Sequence, residues 1–296
     1  MIKTTSKFTR AEALQLLSRI NNKSAFLLAL RQKINELPKG KSSTWRGSLE
    51  KIEKMILSNF QEIPFSIFYK GNTKLPFVSF SSLPLADCPG MGACQNFCYS
   101  LSAWMYPSAF SRQLQNSLLL RYKREKIKKA FLSIGEKETV RLYVDGDFAT
   151  KEILSFWMKL TKQRKDLNVY GYSKSWQLFL DLHKENFQWP ENYFLNLSSG
   201  SRYGEEVKKK MFSLPIVRGE FVALQVSKEH IKSKAYQSKA NKGFPAYAKE
   251  LIAQAKEKGM KKPFVCLGKC GECLPKGKHA CGDAAFRGRD ILIGVH

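Results

Sequence analysis

Seven cysteines stand in two groups, and each group has the spacing of a ligand set. Cys88, Cys94 and Cys98 are separated by five and three residues and sit in a loop tightened by Pro89, Gly90 and Gly92. Three thiolates on a four-iron, four-sulfur (4Fe–4S) cluster leave one iron open to a small molecule. Zinc on the same three would need a fourth ligand or an open water position. No histidine lies near this loop in sequence, which favours a cluster over a hydrolytic zinc. Cys266, Cys270, Cys273 and Cys281, separated by three, two and seven residues, form a four-thiolate set suited to structural zinc or a fully ligated 4Fe–4S cluster. His279 is placed to replace one of those thiolates. An odd number of clustered cysteines without a secretory leader argues for metal ligation over disulfides.

Other polar residues gather where apolar runs end. Asp145, Gly146 and Asp147 close the run at 140–148, where carboxylates can bind a ligand amine, bind Mg²⁺ or act as a base. The plainer reading is a turn with Asp147 capping the next helix. Ser173 and Lys174 can hold a phosphate or carboxylate, or Ser173 can simply cap a helix. Asp145, Asp147 and Lys174 are the candidate catalytic residues, and Gly146, Asp147 and Ser173 the candidate cofactor-binding ones. His183, His230 and His296 have no evident partner and read as surface or packing residues.

These residues need elements to position them. Residues 1–65 read as a helical segment, with helices near 11–20, 25–37 and 48–60 and a cap at Ser6 or Thr9. An apolar run at 76–85 is the strand that delivers the first cysteine loop, and a long helix spans 108–131 with Pro107 at its start. Strands at 140–148, 168–175, 193–201 and 220–227 then alternate with helices at 149–162, 176–184 and 203–212. A helix at 245–258 precedes a last short strand at 263–266. This alternation predicts an α/β fold with a parallel sheet, open or curved into a partial (β/α) barrel, over residues 66–262. Residues 263–296 form a Cys-rich, metal-binding extension. The strand ends are expected to share one rim with the Cys88 loop.

Lys and Arg number 50 against 25 Asp and Glu, a net charge of +25. Residues 1–62 and 228–262 each carry +7, and 121–129 carry +5. Such an excess suits a polyanion, and nucleic acid, DNA or RNA, is the expected partner. Tyr236 and Phe244 stand among lysines of the basic 228–262 stretch, where they can stack on bases or pin the loop. No apolar run approaches a membrane span and the N-terminus lacks a signal-peptide core, so the expected location is the cytoplasm without membrane contact.

The segments GNTKLP, LADCPGMGACQNFCYS, RLYVDGDFAT and VYGYSKS, the C-terminal cysteines and the ending ILIGVH resemble the phage "gene product eighty-eight" family over about residues 70–296. Its members occur in phages, plasmids and other mobile elements and are distantly similar to radical S-adenosylmethionine enzymes. The resemblance implies a partial barrel with a cluster on Cys88, Cys94 and Cys98, and places Gly146 and Asp147 where such enzymes hold the amino group of S-adenosylmethionine. The spacing departs from the family of radical enzymes, whose usual x3/x2 pattern occurs here at Cys266, Cys270 and Cys273 instead. That second group has Glu272 in place of the usual aromatic and a fourth cysteine in reach, so it reads as auxiliary or structural.

The expected function is therefore an iron–sulfur protein with a radical S-adenosylmethionine-like core, acting on or guided by nucleic acid. Its open iron would chelate S-adenosylmethionine, whose reductive cleavage would yield a hydrogen-abstracting radical. The alternative is a non-catalytic basic nucleic-acid-binding protein with structural zinc or iron–sulfur sites. A metal-dependent nuclease using Asp145 and Asp147 is the weakest reading, for want of further carboxylates.

Overall fold

The computed structural model describes residues 8–39, 44–71, 74–227, 244–260 and 262–295. Three helices come first among the described residues: α1 (Arg10–Leu17), α2 (Lys23–Glu36) and α3 (Thr44–Leu57). Thr9 caps α1 by accepting from the Glu12 N–H, and Glu12 returns a bond to the Thr9 N–H. Phe26, Leu30 and Ile34 of α2 and Leu49, Ile52, Met55 and Ile56 of α3 are buried in the same core as the sheet that follows. Phe8 and Trp45 pack their rings on Phe110, at 5.2 and 5.7 Å, which seats this helical layer on α4 (Pro107–Tyr122).

The long helix expected at 108–131 is two helices. Lys123 leaves the helical region (φ −151°, ψ 57°) between α4 and α5 (Arg124–Leu132). The break stays satisfied because the Arg124 side chain donates to the Leu120 carbonyl at 2.7 Å, and Ile127 and Phe131 beyond it are buried.

Among the described residues eight strands form one sheet in the order β1-β2-β3-β4-β5-β6-β8-β7. β1 (Tyr69–Lys70) is antiparallel to β2 (Val78–Ser79), and all other neighbours are parallel. β3 (Thr139–Leu142), β4 (Asn168–Ser173), β5 (Tyr193–Ser198) and β6 (Val217–Gln225) follow β2 in chain order. Helices α6 (Lys151–Gln163), α7 (Trp176–Lys184) and α8 (Glu205–Met211) make the crossovers. α9 (Phe244–Glu257) leads to β7 (Phe264–Val265). The sheet does not end there: β8 (Ile291–Val295) slots between β6 and β7, so the strand expected at 263–266 is the sheet's edge and not its last strand.

Alternation assigns the two faces. Val140, Leu142, Val169, Tyr193, Leu195 and Leu197 join the core shared with the helices. Arg141, Tyr170, Tyr172 and Asn196 point to the opposite face, as the register pairs Arg141 with Tyr170 and Tyr172 with Asn196. That face is covered by the segment joining β7 to β8, whose Ala280 and Cys281 pack with Tyr170, Tyr172, Phe194 and Phe221. The segment is thus a plug in the fold's second layer. No helix among the described residues is long and apolar enough to cross a membrane.

Candidate metal centres

The strands' C-terminal ends assemble the first site. The chain leaving β2 runs on beside the chain leaving β3: Phe80 N–H donates to the Arg141 carbonyl at 3.0 Å, Val144 N–H to the Phe80 carbonyl at 2.9 Å, and Ser82 N–H to the Asp145 carbonyl at 3.0 Å. Gly146 is required at this contact. Its φ is +79°, and a Cβ there would lie 2.2 Å from Ser82 Oγ. The Cys88 loop then crosses to the ends of β4 and β5. Gly92 N–H donates to the Gly200 carbonyl at 3.2 Å, Arg202 N–H to the Gly90 carbonyl at 3.0 Å, and Ser201 Oγ to the Lys174 carbonyl at 2.9 Å. A Cβ on Gly90 would sit 1.8 Å from that carbonyl, so the loop can lie this close only with glycine.

Asp147 is the buried hub of the rim. One oxygen accepts from Phe148 N–H at 2.7 Å and Ser173 Oγ at 2.8 Å, the other from Lys174 N–H at 2.8 Å. It does not cap α6, whose first turn is capped by Thr150. Ser173 serves Asp147 and also accepts from Ser175 N–H at 3.0 Å. Lys174 Nζ donates to Ser198 Oγ at 2.7 Å, joining the ends of β4 and β5. Burial holds the Asp147 carboxyl above its ordinary pKa, although the three donors pull it down. Asp145 is directed elsewhere, accepting from Gln113 Nε2 at 3.1 Å, and burial raises it too. The two carboxylates therefore do not share a ligand position, which weakens the nuclease reading. Behind the loop, buried Asp87 accepts from Ser117 Oγ at 2.5 Å and pairs with Arg121 at 2.7 Å. Burial, followed by the negative field of Asp147, pushes the Cys88 thiol well up, with Asp87 and Cys98 adding to it.

The second cysteine group lies in the plug. Cys266 N–H donates to the Leu292 carbonyl and Cys270 N–H to the Lys74 carbonyl, both at 2.8 Å. The sulfurs of Cys266 and Cys273 accept from Gly268 N–H and Ala280 N–H, both at 3.4 Å. Asn196 Nδ2 donates to the Cys281 carbonyl at 2.9 Å. Burial pushes Cys266 up and Cys281 to about 12, and the fields of the other cysteines of the group add to both. Raised in this way, the Cys266 and Cys281 thiols hold their protons until a cation displaces them. None of the seven cysteines is in a disulfide. Among the described residues no three His, Cys, Asp or Glu side chains form a group that could hold a metal ion. The four-thiolate donor set and the N–H···S bonds at Cys266 and Cys273 are the features on which a metal reading stands. His279 is buried with the group, its ring 4.7 Å from Phe77 and 4.3 Å from Tyr170. Burial lowers its pKa to about 4, which keeps the imidazole neutral.

Several residues of this layer escaped sequence reasoning. Arg141, whose guanidinium lies 4.7 Å from the Tyr172 ring, and the fully buried Arg218 both flank the plug. The available signal was the alternation in β3 and β4, which puts Arg141, Tyr170 and Tyr172 on one face. His183 accepts from Trp189 Nε1 at 3.3 Å on the surface of α7. His230, His296 and Tyr236 lie outside the described residues, while Phe244 opens α9.

Residues 37–289 match the family model described as gene product 88. The match begins inside the helical segment, well before the position near 70 where the motif resemblance starts, so α3 belongs to the shared region. No curated protein and no solved structure gives a match.

Proposed function

The chain belongs to the gene product 88 family, and from that premise we propose an iron–sulfur protein with a radical S-adenosylmethionine-like core, carried by a phage or plasmid and acting on or guided by nucleic acid. The observation that carries the proposal is the Cys88 loop strapped across the C-terminal ends of β4 and β5, beside Asp147 and Lys174. Sequential parallel strands with helices on one face support a partial (β/α) barrel, whose chemistry gathers at that edge. Cys88, Cys94 and Cys98 would hold a 4Fe–4S cluster, and Cys266, Cys270, Cys273 and Cys281 a second cluster or zinc. A three-thiolate cluster supplies single electrons to a ligand on its open iron.

The chain's own residues do the rest. Asp147, with its oxygens occupied by Ser173, Lys174 and Phe148, fixes the turn after β4. The turn directs the Lys174 ammonium along the rim to Ser198, where it offers a positive charge to the carboxylate or phosphate of a ligand. Gly146 lets the chain leaving β3 approach Ser82 on the chain leaving β2. The charge of +25 supports a polyanionic substrate or guide.

Anaerobic protein given dithionite and S-adenosylmethionine is expected to release 5′-deoxyadenosine, and Cys98→Ala to release none. Absence of product from cluster-replete wild type would refute the catalytic part. The second reading, a non-catalytic basic nucleic-acid binder, then stands on the charge alone. Both readings require affinity for DNA or RNA that falls steeply with salt, with a logarithmic slope of about −0.7 to −0.9 per phosphate contacted. Salt-independent or absent binding removes nucleic acid from both.

A further inference from the structure

We propose that the pocket between the plug and the N-terminal ends of β3, β4 and β5 binds a nucleotide, with its phosphate on Lys276 and Lys278 and a polar edge of its base or sugar on Asn168 and His279. The pocket measures about 470 Å³, within the range of small-molecule sites. Thr139 and Asn168 open β3 and β4, and Asn192 precedes β5, so it lies at the edge of the sheet opposite the Cys88 rim. The proposal asks nothing of the cysteines or of any metal.

Two buried polar atoms of residues lining the pocket have no partner in the fold. His279 is 3% exposed, and its Nε2 makes no hydrogen bond. Its ring packs against Phe77 at 4.7 Å and Tyr170 at 4.3 Å, which fixes its orientation. Gly282 keeps the place for it, because a Cβ there would stand 2.5 Å from Nε2. Asn168 gives its Nδ2 to the Gly282 carbonyl at 3.0 Å, which leaves the buried Oδ1 as an acceptor without a donor. Buried polar groups are normally paired, so two at one pocket point to a ligand that supplies what the chain does not.

Lys276 and Lys278 also line the pocket, with exposed side chains that no ion pair among the described residues engages. An inorganic anion suits these lysines but not Asn168 Oδ1 or the Asp283 carboxylate, whose oxygens call for a donor. The ligand therefore has an anionic end and a separate donor. Phe194 adds an apolar ring, which a base can meet and a bare sugar phosphate cannot. A free mononucleotide and the phosphorylated end of a nucleic-acid strand present this same chemistry.

The test is calorimetric titration of the full-length protein with AMP, CMP, GMP and UMP, their nucleosides, ribose phosphate and inorganic phosphate. At least one mononucleotide is expected to bind with Kd below about 1 mM, and its nucleoside, ribose phosphate and inorganic phosphate each at least about tenfold more weakly. Lys276→Met with Lys278→Met changes only exposed side chains. It should weaken the mononucleotide at least about tenfold and leave the nucleoside unchanged. His279→Leu should weaken both alike, and the lysine pair decides the matter if that variant folds poorly. A short end-phosphorylated single strand that displaces the mononucleotide identifies a strand end as the occupant, and one that does not identifies the free nucleotide. Failure of the nucleic-acid reading above would leave the mononucleotide results standing. No mononucleotide binding at millimolar concentration overturns the proposal. So does ribose phosphate or inorganic phosphate binding as tightly as the mononucleotide, or binding indifferent to these substitutions.

Discussion

Serine at Cys266, Cys270, Cys273 and Cys281 together is expected to lower Tm by more than about 10 °C and to expose residues 264–295 to hydrogen exchange, while β3–β5 stay protected. The expectation follows from where the plug is tied. Its two ends are β7 and β8, and β8 lies between β6 and β7, so releasing the plug frees the flank of the sheet. Apolar contact alone is thin there: Ala280, Cys281 and Ile291 are buried with Tyr170, and the other partners are only partly so. A structural metal contributes an apparent 10 kcal/mol or so in small zinc domains, comparable with the roughly 5–15 kcal/mol that holds a whole domain together. Unchanged Tm and protection in the tetraserine variant would mean that the thiols are ordinary packing residues.

Asp147→Ala is expected to destabilise the protein by about 3 kcal/mol, because it strands three buried donors at once: Ser173 Oγ, Lys174 N–H and Phe148 N–H. Asp147→Asn keeps the shape but turns an amide toward one of those donors, and should fall about midway. The pH dependence separates charge from shape. Burial raises the folded-state pKa of Asp147, so the folded protein binds that proton more tightly than the unfolded chain does. Folding stability referenced to Asp147→Asn should therefore be flat near neutral pH, rise as pH falls through that raised value, and level off below the unfolded pKa near 3.8. Urea titrations at several pH values read this directly. A difference that grows as pH rises would mean that the ionised carboxylate is favoured by folding, and would contradict the assignment of burial as the dominant influence.

Much of this organisation was legible in the residues. The period-two strands at 140, 168 and 193 and the helices between them fall where the alternation puts them, because apolar residues recur at alternate positions, Val140 and Leu142 in β3 and Tyr193, Leu195 and Leu197 in β5. The polar clusters at 145–147, 173–174 and 198–199 mark strand ends for the same reason. Local patterns could not reveal β8. Ile291, Leu292 and Ile293 read as a short apolar tail, and only the gap between β6 and β7, more than twenty residues of chain away, makes them a strand. The break at Lys123 was hidden because the residues around it are good helix formers, and Arg124 repairs the free Leu120 carbonyl. The capping reading of Asp147 fails for a related reason. A carboxylate three residues before a helix reads as a cap, but Thr150 is nearer and takes that position, leaving Asp147 to reach across to β4. The helical segment was set apart by its helical periodicity and by the motifs starting near residue 70, yet Phe8, Trp45 and Phe110 bury it in the common core, and the family match crosses into it.

The central claim is that the Cys88 loop holds an iron–sulfur cluster with an open iron. Iron, zinc and acid-labile sulfide should be quantified on anaerobically purified wild type beside the Cys88→Ala, Cys94→Ala, Cys98→Ala variant. The account predicts a loss of about four irons and four sulfides in the variant, with the plug metal retained. Zinc without sulfide in the wild type, or identical metal content in the two proteins, would contradict it.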